Sequence, residues 1–372
     1  MTGQIFLFVM FFDQIKNLSV YDDKARVYKY CMNDRKYTKV LIETVVERGI
    51  KDITDDPKRS LRRIAEMGKQ FSEGRFQKAS FGHITNLLKN DDSPYYKMLE
   101  DFLATVDHKC IKTFGLNLGY DSWTYGARVI RRESESRGYM LPWIVFIHYG
   151  MEKNKGMTAE GIRSLIGGLK PLGTNTYVLI IEHGSAADPD LMEVISENPE
   201  CTFFLFLNDG EISAEEAETV KNLKNVVISV NISAAGAMAT CRMLKEMKAL
   251  YVIHYIYSTD ETDRFADEEY IGSWLTYGSA FIFLVQKDSD KGIAGKYARN
   301  TRMEQEYPIL IWDIYSDSRL INEMISDMPF IFEIGSDGNV IYPENTGINV
   351  LGRDIVSVME EIAPPYRPLQ EY

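Results

Sequence analysis

The chain contains only four cysteines in 372 residues, and no two of them are neighbours in sequence. They stand at positions 31, 110, 201 and 241, without the paired spacing of a structural zinc site. A disulfide framework is not expected either, and the chain is predicted to work in a reducing cytoplasm. Cys201 and Cys241 lie in apolar stretches, which predicts that both are packed core thiols.

Positively charged residues are fewer than negatively charged ones. The chain has 42 lysines and arginines against 54 aspartates and glutamates, which gives a net charge of -12. Such a chain repels phosphate backbones, so no nucleic-acid partner is expected. The glycines form neither GxGxxG nor a Walker-type loop, and nucleotide binding therefore has no motif support. The apolar stretch from Ile5 to Phe12 is too short to span a bilayer. It is predicted to be a buried first helix, and membrane contact is not expected.

The pattern that is present runs from Trp143 to about Ile334, where one unit repeats: an apolar strand-like run, a polar residue, and a helix-like stretch. The spacing of roughly 25 to 35 residues suits a strand with a crossover helix. Three helix starts are predicted from the caps Thr158, Asp188 and the Ser213 to Glu216 capping box. These signals predict an α/β fold, a partial or complete parallel β/α barrel. We divide the chain into a helical N-terminal lobe (1–140), the barrel (141–328), and a C-terminal hairpin and tail (329–372).

The polar residues that end the strand-like runs are the candidate site. Strand C-termini of a parallel barrel open on one mouth, so these residues are expected to gather there and bind a ligand. Neighbours on a strand point to opposite faces, so only one of two adjacent candidates in the second run can face the lumen. The candidates are His148, Glu182, His183, Asn208, Asn231, His254, Gln286, Asp313 and Glu333. His254 lies inside its run and is predicted to be a hydrogen-bonded interior histidine, while Asn208 also fits an ordinary turn.

The order of these segments resembles the radical SAM family. Similar positions are LPW at 141–143, where the family enters its first strand, MTAEGI at 157–162, LNDG at 207–210 and GSDGNV at 335–340. The resemblance covers the chain from about Asp55 onward. It implies a β/α barrel with a helical N-terminal region and a C-terminal extension.

The departures from the family concern its cofactors. The loop that carries the family's CxxxCxxC motif reads YGMEKNKG at 149–156 and holds no cysteine, so it lacks the thiolates that bind a [4Fe–4S] cluster. EHGS at 182–185 replaces the GGEP segment that receives the amino group of S-adenosylmethionine. YPE at 342–344 replaces a cysteine of the auxiliary clusters. We therefore assign no cofactor and no metal ligands.

The resemblance and its departures together predict a degenerate radical SAM-like protein that acts as a binding or scaffolding partner. Its partner would be an active radical SAM relative or a small molecule at the barrel mouth. The alternative is a non-radical barrel enzyme that uses the polar strand ends for metal-assisted or acid–base hydrolysis.

Overall fold

Eight parallel strands and one antiparallel strand form the sheet at the centre of the described chain. The structure is a computed structural model that describes residues 87–150, 156–182, 184–287 and 292–367, together with a few positions between 39 and 85. The strands are β1 (Ile144–Tyr149), β2 (Thr176–Ile181), β3 (Thr202–Leu207), β4 (Val226–Asn231), β5 (Tyr251–Tyr257), β6 (Phe281–Gln286), β7 (Leu310–Asp313), β8 (Phe332–Ile334) and β9 (Val340–Tyr342). Their order in the sheet is β7-β6-β5-β4-β3-β2-β1-β8-β9, and only the β8–β9 pair is antiparallel.

Helices precede β1, connect consecutive parallel strands from β1 to β8, and follow β9. They are α1 (Pro94–Thr105), α2 (His108–Gly115), a π-helix (Leu116–Gly126), α3 (Ala127–Arg137), α4 (Ala159–Leu169), α5 (Pro189–Ser196), α6 (Ala214–Asn222), α7 (Ala237–Glu246), α8 (Glu268–Ser273), α9 (Ile293–Glu304), α10 (Ile314–Ser326) and α11 (Ile355–Ile362). Short 3-10 segments cover Lys170–Leu172, Thr259–Ala266 and Trp274–Tyr277. The predicted caps are confirmed: Thr158, Asp188 and Ser213 each accept a backbone N–H at the start of α4, α5 and α6.

The sheet is curled into a partial barrel. The rings of Phe204 on β3 and Phe283 on β6 lie 5.6 Å apart between centroids, although two strands separate β3 from β6. A flat sheet would place these strands about 14 Å apart, at about 4.8 Å per strand. The barrel is not closed by hydrogen bonds, because β7 pairs with β6 alone and β8 pairs with β1 and β9. The predicted parallel β/α barrel is confirmed in its partial form.

Strand burial follows from this architecture. Every residue of β2, β3 and β4 is buried, because helices cover the outer face and the inner face lines the lumen. β8 pairs with Val145 to Ile147 of β1, so the barrel sheet extends past residue 328 into the segment that we treated as a C-terminal hairpin.

The described part of the N-terminal region is helical and covers the N-terminal ends of the strands. Asn117 of the π-helix donates to the carbonyls of Pro199 and Cys201, just before β3. Ser122 hydrogen-bonds Thr176 at the start of β2. The opposite end of the barrel is thereby left to hold a site.

The segment from Ile5 to Phe12 lies outside the described residues. Among the helices that the structure describes, none combines the length and apolar character needed to cross a bilayer.

Candidate functional site

A cavity of about 480 Å³ occupies the lumen at the C-terminal ends of the strands. Because side chains alternate along a strand, every second residue at the C-terminal ends of β1, β2, β3 and β5 lines it. Its apolar wall comes from β1, β2, β3, β5 and β6 and contains Phe146, Val178, Ile180, Phe206, Ile256 and Val285. The start of α10 and β9 complete the wall with Ile314, Tyr315, Ile341 and Tyr342. The volume lies in the range of pockets that bind small molecules.

His148, at the end of β1, is held between two carboxylates. Its Nδ1 lies 2.8 Å from Glu182 Oε1 and its Nε2 lies 2.9 Å from Glu333 Oε1. Burial lowers the pKa of His148, but hydrogen bonds and charge from Glu333 and Glu182 outweigh burial, so the pKa is raised above 6.5. Both ring nitrogens face carboxylate oxygens, and this arrangement favours the protonated imidazole. With both ring nitrogens engaged, it has no lone pair to offer a metal ion.

Glu333 carries a second feature of the site. Its side chain is 3% exposed, and its Oε1 also accepts a hydrogen bond from the Tyr315 hydroxyl at 2.9 Å. Its Oε2 has no hydrogen-bond partner among the described residues. A buried carboxylate oxygen without a donor is costly, so this atom is available to a donor from a ligand in the cavity.

His254, on β5, presents the second unpartnered atom. Its Nδ1 lies 2.9 Å from Ser229 Oγ, as predicted for a hydrogen-bonded interior histidine, whereas its Nε2 has no partner among the described residues. The ring packs on Phe206 with centroids 4.6 Å apart. Complete burial lowers the pKa of His254 to about 3, so its imidazole is neutral.

The remaining candidates differ in where the structure places them. Asn208 and Gln286 line the cavity, as do His148, His254 and Glu333. Asn231 instead holds the turns after β3 and β4, since it donates to the carbonyl of Asn208 and accepts from the amide of Ser233. His183 lies outside the described residues.

Asp313 does not reach the mouth. It follows Trp312 on β7 and faces the helix layer, where it caps α10 through Ser316 N and accepts from the Tyr257 hydroxyl. Burial raises the pKa of Asp313 to about 6, although the hydrogen bonds from Ser316 and Tyr257 oppose this rise. The expectation that it gathers at the rim is wrong, because the alternation along β7 turns it outward.

A larger open cleft of about 1330 Å³ adjoins the lumen beside Glu182, between the start of α4 and the C-terminal extension. Several of its polar side chains have structural partners: Thr158 caps α4, Asp354 caps α11, and Arg353 pairs with Glu361. We therefore place the candidate site in the lumen and not in this cleft.

The thiols do not fit an iron–sulfur cluster. Cys110, Cys201 and Cys241 are buried in α2, before β3 and in α7, and none of them lines the lumen. Burial raises the pKa of Cys110 to about 11 and that of Cys241 to about 12, so both remain protonated at neutral pH, whereas a cluster needs thiolates. Cys31 lies outside the described residues. Within the described ranges, no group of three or more His, Cys, Asp and Glu side chains is arranged to hold a metal ion.

Fold and cavity together define a partial parallel β/α barrel with a ligand-sized site at the strand C-termini. Its arrangement of strands and helices is similar to that of SuiB from Streptococcus suis and of anSMEcpe, which are radical SAM enzymes. SuiB bound to S-adenosylmethionine matches with a TM-score of 0.44 and 9% identity, over 64% of this chain and 68% of that chain. A further crystal structure of SuiB matches with a TM-score of 0.43 and 9% identity, over 77% of this chain and 80% of that chain.

Native anSMEcpe with bound AdoMet and Cp18Cys peptide matches with a TM-score of 0.36 and 10% identity, over 54% of this chain and 74% of that chain. No sequence-family profile matches the chain, and the comparison with curated protein sequences gives no match. At these identities the similarity concerns the arrangement of strands and helices alone.

Two residues of the site escaped the sequence analysis. Tyr315 follows β7 by two residues and holds Glu333, and Ser229 lies on β4 and holds His254. The strand period places Ser229 on the lumen face, so its sequence signal was present. Tyr315 carried no such signal, because it lies in the first turn of a helix.

Proposed function

We propose that this chain is a small-molecule-binding protein built on a radical SAM-like barrel, without iron–sulfur or S-adenosylmethionine chemistry. One observation carries the proposal: two buried polar atoms, His254 Nε2 and Glu333 Oε2, have no hydrogen-bond partner in the part of the chain that the structure describes, and their side chains line the same apolar cavity. Each unpaired buried polar group costs about 1 to 3 kcal/mol, and a ligand that hydrogen-bonds both would recover that cost. An empty structural core would gain nothing from such atoms.

A protein partner, such as an active radical SAM relative, remains compatible with this proposal. In that case the ligand-bound barrel would be the form that the partner recognises. The distribution of thiols supports the non-redox part of the proposal, since the loop after β1 contains no cysteine.

Acid–base catalysis is the second candidate, and the arrangement around Glu333 favours it. Its Oε2 could accept a proton from a bound molecule, while His148 and Tyr315 hold Oε1. His148 would then act as a positioning residue that stabilises the carboxylate.

The binding proposal is tested by ligand-observed NMR with a fragment library on the purified full chain. Replacing Ile256, which lines the lumen, by phenylalanine should abolish binding of the fragments that occupy it. The matched control is Ile293→Phe on α9, because Ile293 is 46% exposed and does not line the cavity. Fragments that bind the wild type and both variants equally would place the ligand elsewhere and contradict the proposal.

Loss of the redox chemistry is tested separately by anaerobic reconstitution with iron and sulfide. We expect no stoichiometric cluster absorbance and no binding of S-adenosylmethionine in calorimetry. A stoichiometric cluster would end this part of the proposal.

A further inference from the structure

The imidazole of His254 is a fully buried polar group on the wall of the lumen. The ring of Phe206 packs against it with centroids 4.6 Å apart, and Ile256, two residues further along β5, lines the same wall. Burial lowers the pKa of His254 to about 3, so the ring is neutral and only one of its two nitrogens carries a proton. The nitrogen that carries the proton decides whether a ligand at Nε2 must accept or donate a hydrogen bond.

Ser229 favours one of the two positions of that proton. Its hydroxyl lies 2.9 Å from His254 Nδ1 and makes no other hydrogen bond among the described residues. If Nδ1 carried the proton, it would donate to the hydroxyl oxygen, and both the serine proton and the Nε2 lone pair would lack partners. If Nε2 carries the proton, the serine donates to Nδ1, and only the Nε2–H group lacks a partner. Unpaired buried polar groups are costly, so the second arrangement is favoured and Nε2 is a donor.

On these grounds we propose that the lumen binds an uncharged carbonyl compound, whose oxygen accepts a hydrogen bond from His254 Nε2–H and whose apolar body lies against the ring of Phe206. The inference rests on the proposed binding function and names its ligand class. A carbonyl oxygen supplies the acceptor that Nε2–H lacks, and it brings no donor that would itself need a partner. A carboxylate would also accept this hydrogen bond, but the burial that keeps the imidazole neutral makes an anion costly at the same wall.

The wall on either side of this donor suits an apolar body. Val178, Ile180 and Phe206 line the lumen from β2 and β3 and are buried. An aliphatic or aromatic group next to the carbonyl would contact these side chains and leave water. In the sheet order β1 to β4 lie between β5, which carries His254, and β8, which carries Glu333. The contact at His254 therefore does not involve the carboxylates at the mouth.

The test uses three probes of similar shape: acetophenone, α-methylstyrene, in which a methylene group replaces the carbonyl oxygen, and benzoate, in which an anionic oxygen replaces the methyl group. Their affinities for the full-length wild type and for His254→Phe are measured by NMR titration at neutral pH, and Ile256→Phe shows which signals come from the lumen. The affinity of the ketone relative to the hydrocarbon is compared between proteins, because their difference in hydrophobicity is then common to both.

We expect this relative affinity to fall by about three- to tenfold in His254→Phe, which is the effect of one hydrogen bond. Ile180→Leu is the matched control, since it changes the wall of the lumen without removing a polar atom, and it should preserve the relative affinity. Benzoate should bind the wild type more weakly than acetophenone.

A second readout needs no variant. Long-range proton–nitrogen correlation spectra of the isotope-labelled wild type identify the protonated ring nitrogen of His254. We expect Nε2 to carry the proton, and its resonance to move when acetophenone binds and much less when α-methylstyrene binds. A proton on Nδ1, an unchanged relative affinity in His254→Phe, or tighter binding of benzoate would overturn the inference and leave the binding function intact. If His254→Phe does not fold, the position of the proton and its response to acetophenone decide the question. Failure of all three probes to bind the lumen would instead overturn the binding function itself.

Discussion

Replacement of His254 by glutamine is expected to make the protein less sensitive to acid. Burial lowers the pKa of His254 from 6.5 to about 3, so the unfolded chain takes up a proton at a pH where the folded chain does not. Between these two values the unfolded state binds more protons, and stability must fall as the pH falls. The loss is about 1.4 kcal/mol per pH unit, which amounts to about 2 kcal/mol by about pH 5 and about 5 kcal/mol by about pH 3.

The free energy of unfolding is measured by urea denaturation of wild type and His254→Gln at about pH 7 and about pH 5. Glutamine keeps a polar side chain of similar length but does not titrate. The variant should therefore lose about 2 kcal/mol less than the wild type over this interval, whatever its stability at neutral pH. Phe206→Leu is the matched control, since it loosens the packing against the same ring without changing a charge.

Parallel losses in wild type and His254→Gln would refute the reasoning. They would mean that the imidazole is protonated in the folded state or that water reaches it. A loss in Phe206→Leu equal to that of the wild type would confirm that the effect belongs to the titrating group and not to cavity packing.

Two further predictions concern His148 and helix α4. His148 has a raised pKa, so the stability that it contributes is fully present below pH 6.5 and is lost as the pH rises through the raised value. In urea unfolding, the loss of unfolding free energy caused by His148→Gln should therefore be larger near about pH 6 than near about pH 9. A loss that does not depend on pH would contradict this. On α4, Gly168→Ala would drive its Cβ into the Cγ2 methyl of Ile355, whereas Gly167 has open space around it. We expect a loss of about 1 to 3 kcal/mol for Gly168→Ala and a gain of about 0.5 to 1 kcal/mol for Gly167→Ala in thermal or urea unfolding, and changes of the same sign would rule out the contact argument.

The alternation of apolar runs and helical stretches was sufficient to predict the strand order along the chain, the partial parallel barrel, and polar residues at the end of the barrel where the cavity lies. Local signals are strong here, because a buried parallel strand is apolar along its whole length and a helix start is marked by its cap. Asp313 was misplaced for a local reason as well. It ends β7, but it is followed three residues later by Ser316, whose amide it caps, and a capping residue cannot also reach into the lumen.

What the sequence determined by itself is the set of elements and the polar residues at their ends. Only the tertiary structure decided which of those residues meet: His148 and Glu333 are 185 positions apart and touch because β8 pairs with β1. Period-two alternation assigns residues to two faces of a strand but does not say which face the curl of the sheet encloses. The register between strands then sets which side chains lie opposite each other, and among the described residues it leaves Glu333 Oε2 and His254 Nε2 without hydrogen-bond partners on two walls of one cavity. Register and curl are properties of the whole sheet, so no single segment of the chain contains them.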